Sequence, residues 1–313
     1  MNENEDFTKI VPKRSLTSKL LILLGICLLG TFLFTIVGVI FGTITTRLSL
    51  VQIMENMQNP EGPEMWSFMM LITGISHLGG FWLAGLAFLK WIENKSFDHL
   101  NKVDLKVVLI PIAIILMISF LPFNEFFIRM NEGMELPKSM DGIQNWMKKS
   151  EESAAKLTQF LMDFTSIPQL LIAFIVIGCF AGIGEELIFR GILQNLLHKK
   201  FQNHHTAIWI SAIIFSAIHM QFFGFLPRML LGAVFGYIYV WTGNLWVPII
   251  AHIANNGFIV IMMYLSKIGA IKVDIEKLET PAYITALFTA ICGGLLWYIF
   301  KNKIENIENE PVL

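Results

Sequence analysis

The chain has 313 residues, of which 55% are hydrophobic and only 15% charged, with a formal net charge of −1 and a mean hydropathy of +0.62. A soluble domain carries about 25% charged residues, and the near-neutral balance leaves no basic stripe to hold nucleic acid. Apolar runs long enough to cross roughly 30 Å of hydrocarbon recur along the chain. The sequence therefore predicts an all-α polytopic membrane protein, a bundle of about eight transmembrane helices.

The predicted spans are, in order, about 20–43, 66–90, 107–123, 168–197, 206–223, 226–242, 246–265 and 281–300. The first is too long for a signal-peptide core and lacks a small-residue cleavage site, so it is expected to remain. The third is short and interrupted by Pro111 and Pro122. Between the third and fourth lies the one large extramembrane piece, 124–167. There Ile143, Trp146 and Met147 recur at helical spacing, followed by Leu157, Phe160, Leu161 and Phe164, with Lys148, Lys149, Glu151 and Glu152 opposite. That pattern predicts an amphipathic helix at the outer interface or over the bundle. No internal repeat suggests a transporter built from duplicated halves. Cys27, Cys179 and Cys292 lie in separate apolar runs and read as small buried hydrophobes.

Lysine and arginine in the short flanks set the expected orientation. Lys9, Lys13, Arg14 and Lys19 precede the first span, and only Arg47 follows it. Lys90, Lys95, Lys102, Lys106, Lys199, Lys200, Lys301 and Lys303 alternate back to the first side, against three lysines in the outer loop 266–280. The expectation is a multi-pass protein of the cell membrane with both termini cytoplasmic.

The fourth span contains Gly184-Glu185-Glu186-Leu187-Ile188-Phe189-Arg190 after an uncharged run from Pro168 to Ile183. A charge near the bilayer centre costs roughly 3 kcal/mol or more, so three in six residues imply function. Span five carries Phe215 and His219, and span seven His252, Asn255 and Asn256. At ~1.5 Å rise per residue, Glu185, His219, His252 and Asn256 fall within about two turns of one depth. Glu186 and Arg190, four apart, share a face and can pair, whereas Glu185 has no partner on its own helix. His252 and Asn256 also share a face, from which Asn255 points away. His77, in span two, reads as an interhelical hydrogen-bond partner.

A carboxylate in a dry cavity suits a general base acting on water. Histidines can bind a metal or orient that water, and an asparagine amide can donate to a developing oxyanion. Together they predict a hydrolase, most naturally of an amide bond, in a cavity opening to the cytoplasm. An ion or proton path would use the same residue types, but these gather at one depth.

E-E-x-x-x-R at Glu185–Arg190, F-x-x-x-H at Phe215–His219 and H-x-x-x-N at His252–Asn256 resemble the CAAX protease and bacteriocin-processing family. The resemblance covers about 168–265 and implies an intramembrane endopeptidase. It implies that Glu185 activates water, that His219 and His252 complete a water or metal site, and that Asn256 steadies the oxyanion. Glu186 and Arg190 are implied in support. Members are described both as metalloproteases and as glutamate proteases, so Zn²⁺ held by Glu185, His219 and His252 is one expectation and a metal-free site the other. The implied substrate is a peptide or membrane-anchored protein. Noncatalytic immunity and scaffold members of the same fold are the alternative. The whole of 1–313 is expected to form one integral membrane domain. Its catalytic core would be about 168–265, and the spans within 20–123, which match no named motif, would set substrate choice.

Overall fold

The computed structural model describes residues 14–57, 59–132, 137–272 and 280–303, and among these the regular elements are all helices. Helix α1 (Leu16–Thr46) starts where the Ser15 hydroxyl accepts the Ser18 N–H and ends at Arg47 in the left-handed conformation. Leu21, Leu24, Leu28 and Phe32 are exposed along it, as a lipid-facing helix requires. Helix α2 (Leu50–Asn56) is a short capped turn. Helix α3 (Pro63–Glu93) packs on α1 and is interrupted by π-helical segments at Leu78–Leu83 and Leu89–Glu93.

Helix α4 (Leu109–Glu132) runs well past the expected end of span three, with Pro122 inside it. Packing against the later helices 246–267 and 282–301 outweighs the single hydrogen bond that Pro122 removes, and Pro111 sits in the tolerant first turn. Helix α5 (Asp141–Leu161) is the predicted amphipathic helix, with Asp141 in its first turn. Helix α6 (Ile167–Phe201) is the longest in the bundle, with π-helical segments at Phe174–Phe180 and Leu187–Gln194 on either side of the glutamate pair. Helix α7 (His204–Ala217) pairs with α8 (Phe225–Thr242), and α9 (Trp246–Lys267) lies against both α4 and α6. Helix α10 (Ala282–Lys301) covers α4 from outside. Cys292 is buried, while Cys27 and Cys179 are only partly covered.

Among the described residues seven helices are long and apolar enough to cross a bilayer: α1, α3, α4, α6, α8, α9 and α10. The expected fifth span, 206–223, is the exception. Helix α7 has 14 residues, about 21 Å at the α-helical rise, and the chain then turns at 218–224. Irregular backbone at membrane depth is tolerated where it is buried in protein or lines a cavity. Here α5 covers the turn. The Ser150 hydroxyl donates to the Met220 carbonyl at 3.0 Å, Glu151 accepts the Phe223 N–H at 3.3 Å, and Trp146 lies against Phe222. Met220 itself has φ 54°, a left-handed conformation that these contacts help to hold.

The basic flanks collect at one end of the bundle. Lys19 pairs with Glu93 at 2.6 Å, joining the start of α1 to the end of α3. The Lys102 N–H donates to the Gly243 carbonyl at the end of α8. Burial and the nearby Lys199 hold the Lys95 ammonium below the usual lysine range. The 218–224 turn lies at the opposite end of α7 and α8. Lys9, Lys13 and the loop residue Lys277 lie outside the described residues.

Candidate active site

Glu185 stands near the midpoint of α6. Small residues bring its helix close to α9: a Cβ on Gly182 would come within 2.8 Å of the Ile253 side chain and 3.2 Å of its backbone nitrogen. Around Glu185 lies a cavity of about 210 Å³ lined by Asn124, His219, Arg228, His252, Asn255 and Asn256, among others. The four residues singled out for chemistry, from α6, α9 and the turn after α7, therefore meet in one space.

Glu186 and Arg190 form the expected pair, with Nη1 to Oε1 at 2.7 Å, and both are almost fully buried. The guanidinium also donates to the Gly232 carbonyl at 2.9 Å and lies between the Phe215 and Phe235 rings. Glu186 does more than neutralise Arg190. Its Oε1 accepts the His252 Nδ1–H at 2.8 Å, which leaves His252 Nε2 aimed at Glu185 Oε2, 3.8 Å away. His219 is held similarly, its Nδ1–H donating to the Phe215 carbonyl at 2.8 Å. These tautomers are assigned from the partners. In both rings Nε2 is then left for the cavity.

That donor set, a carboxylate and two imidazoles with their other nitrogens anchored, has the chemistry of a zinc site with its supporting shell. Among the described residues, however, no three His, Cys, Asp or Glu side chains are gathered as a metal cluster.

The asparagines depart from the helical-phase expectation. Asn256 donates to the Ile177 carbonyl in a π segment of α6 at 3.0 Å and accepts from Asn255 Nδ2 at 3.0 Å. One amide hydrogen of Asn256 is left over. Asn255, expected to point away, lines the same cavity. His77 is indeed an interhelical partner, but its partner is Glu185: Nε2 stands 3.5 Å from Oε1, with the ring stacked on Phe81. Nothing in the span-two sequence marked it beyond a lone histidine in an apolar run. Arg228, in the first turn of α8, is a further wall residue that no sequence pattern marks. Its Nη2 donates to Gln221 Oε1 at 2.5 Å, and its buried Nη1 has no partner.

With this geometry in view, the comparisons with known proteins fall on the same segment. Residues 167–258 match the model of the type II CAAX prenyl endopeptidase Rce1-like family, and all three motifs lie inside that match. The chain is 36% identical over 106 residues to YdiL of Bacillus subtilis, provisionally named a membrane peptidase. It is 35% identical over 88 residues to the membrane-embedded CAAX protease MroQ of Staphylococcus aureus. It is 26% identical over 114 residues to the uncharacterised B. subtilis protein YpbD. These stretches are 34%, 26% and 35% of this chain and 42%, 35% and 53% of the respective relatives, so the chain spans about half or less of each relative's length. No solved structure matches it. The resemblance read from the motifs is borne out over the matched residues, and at family level it points to a membrane endopeptidase. His77 and Asn124 lie outside the matched segment.

Proposed function

We propose that the protein is an intramembrane endopeptidase that hydrolyses a peptide bond with water activated by Glu185. The observation that carries this reading is the single cavity in which Glu185 meets the Nε2 atoms of His219 and His252. A water there gives one proton to the Glu185 carboxylate as its oxygen attacks the peptide carbonyl carbon, while a histidine Nε2 accepts a hydrogen bond from the hydrogen that stays on that oxygen. The remaining Asn256 amide hydrogen donates to the carbonyl oxygen as it becomes an oxyanion. Glu185 then returns its proton to the departing nitrogen, and the C–N bond breaks. Zn²⁺, if this enzyme uses it, would be held by Glu185, His219 and His252 and would make the bound water more acidic. Glu186 and Arg190 keep His252 in its working tautomer in either case.

The substrate is a peptide or a membrane-anchored protein. The protein resides in the cell membrane with its basic helix ends and both termini in the cytoplasm. A cytoplasmic cavity does not fit that orientation, because the cavity wall formed by His219, Gly224, Pro227 and Arg228 belongs to the end of α7 and α8 remote from the lysines. The cavity therefore belongs to the outer half of the bundle, beneath α5. The N-terminal spans supply His77 and, through α4, Asn124, which is consistent with a part in substrate choice.

The test is cleavage of a quenched-fluorescence peptide library by the purified full chain in detergent, with Glu185→Gln alongside and bound metal measured on the same sample. Cleavage by the wild type and none by the variant supports the reading. No cleavage by either would favour a noncatalytic immunity or scaffold protein.

A further inference from the structure

A half-buried arginine with no negative group bonded to it lines the cavity. Arg228 Nη1 has no hydrogen-bond partner, and the partner of its Nη2, Gln221, is neutral. A buried N–H group left without an acceptor is unfavourable, and an ionisable side chain at membrane depth is by default a functional group whose partner should be named. Two carboxylates lie within electrostatic range, Glu185 and Glu151, and neither closes on it. Glu151 accepts from the Phe223 N–H, and Glu185 is flanked by His77 and His252. Across the same cavity Asn124 Oδ1 is also buried without a partner. The cavity thus contains an unused cationic donor and an unused acceptor, both beside the hydrolytic group.

We propose that Arg228 forms a subsite for a carboxylate of the substrate peptide. The inference rests on the peptide-hydrolase reading of this cavity and adds to it the chemical class of peptide. A carboxylate accepts from two guanidinium nitrogens at once, which favours arginine over lysine at such a site. Both Arg228 and Glu185 line a space with the volume of about seven waters, so the carboxylate must lie close along the chain to the bond that is cut. Two sources supply this chemistry, an acidic side chain and the free C-terminus. Gly224 keeps the approach open, since a Cβ there would come within 3.1 Å of Arg228 Nη2.

The experiment measures binding of fluorescent peptides to the full-length Glu185→Gln protein, which holds substrate without turnover. Four peptides are compared, in which one acidic residue is Glu or Gln and the C-terminus is free or amidated. Loss of one carboxylate should weaken binding by roughly 10- to 100-fold, the scale of hydrogen bonds to a charged group, and which change does so identifies the source. Adding Arg228→Gln should abolish that difference, with Arg228→Lys retaining part of it. Equal binding of all four peptides would overturn the subsite. So would equal losses for every peptide on Arg228→Gln, which would leave Arg228 as a support for the 218–224 turn. Cleavage by the otherwise wild-type chain is read separately, so failure of hydrolysis and failure of the carboxylate subsite are distinguishable.

Discussion

One oxygen of Glu186 serves two partners: Oε1 lies 2.8 Å from His252 Nδ1 and 2.7 Å from Arg190 Nη1. The second glutamate of the pair therefore ties the guanidinium of its own helix to the imidazole of α9. Glu185, one residue earlier, is rotated by about 100° and faces the cavity instead.

Replacing Glu186 by Gln should cost both stability and activity. The amide cannot neutralise Arg190, and breaking a buried ion pair costs about 3–5 kcal/mol. Thermal unfolding in detergent should show a clearly lowered midpoint. A variant as stable as the wild type would mean that Arg190 is balanced by the flanking aromatic rings and the Gly232 carbonyl alone.

Glu185→Gln should behave in the opposite way. The amide keeps the shape but cannot take a proton, so hydrolysis should be lost while the unfolding midpoint stays near that of the wild type. Full activity in this variant would remove Glu185 from the chemistry.

Asn256→Ala should lower turnover by roughly 10²-fold, the scale for one oxyanion donor. Because the same amide bonds the Ile177 carbonyl, a modest loss of stability of about 1 kcal/mol should accompany it. Asn255→Ala should affect kcat much less. Similar kcat losses from both variants would assign the asparagine pair to helix packing.

Single cysteines at Lys19, Lys301 and Gln221 test the orientation. In intact cells an impermeant thiol reagent should reach Gln221→Cys and spare the other two. Labelling of Lys19→Cys and Lys301→Cys instead would invert the bundle and turn the cavity toward the cytoplasm.

The membrane class, the Glu186–Arg190 pair and the meeting of Glu185, His219 and His252 were legible because hydropathy, i,i+4 spacing and depth are local or additive properties of a sequence. What was missed depends on long-range packing or departures from ideal helices. Span five was drawn too long because 218–223 is apolar enough to pass for helix, and only the docking of α5 reveals a turn there. Asn255 was turned away by a helical wheel, which does not register that neighbouring helices can leave a cavity wide enough for adjacent positions. His77 could be assigned to Glu185 only once α3 was seen beside α6.

The π-helical segments of α6 carry a consequence for how this chain tolerates change in length. A π turn accommodates one more residue than an α turn, at the expense of weaker backbone bonding, and side chains take up the loosened carbonyls. Asn256 bonds that of Ile177, Ser211 that of Phe189, and Asn195 that of Arg190. Deleting one residue within 187–194 would let the helix relax to regular α geometry and improve its own hydrogen bonding. The π turn already absorbs that residue, so Gln194 and Asn195 would keep their phase relative to Glu185, but the Phe189 carbonyl would be drawn back into the helix and away from Ser211 of α7. A one-residue deletion in the regular turn before the π segment, with nothing to absorb it, would instead turn Gln194 and Asn195 by about 100° away from α8, so the π segment is where this helix can best bear a change of length.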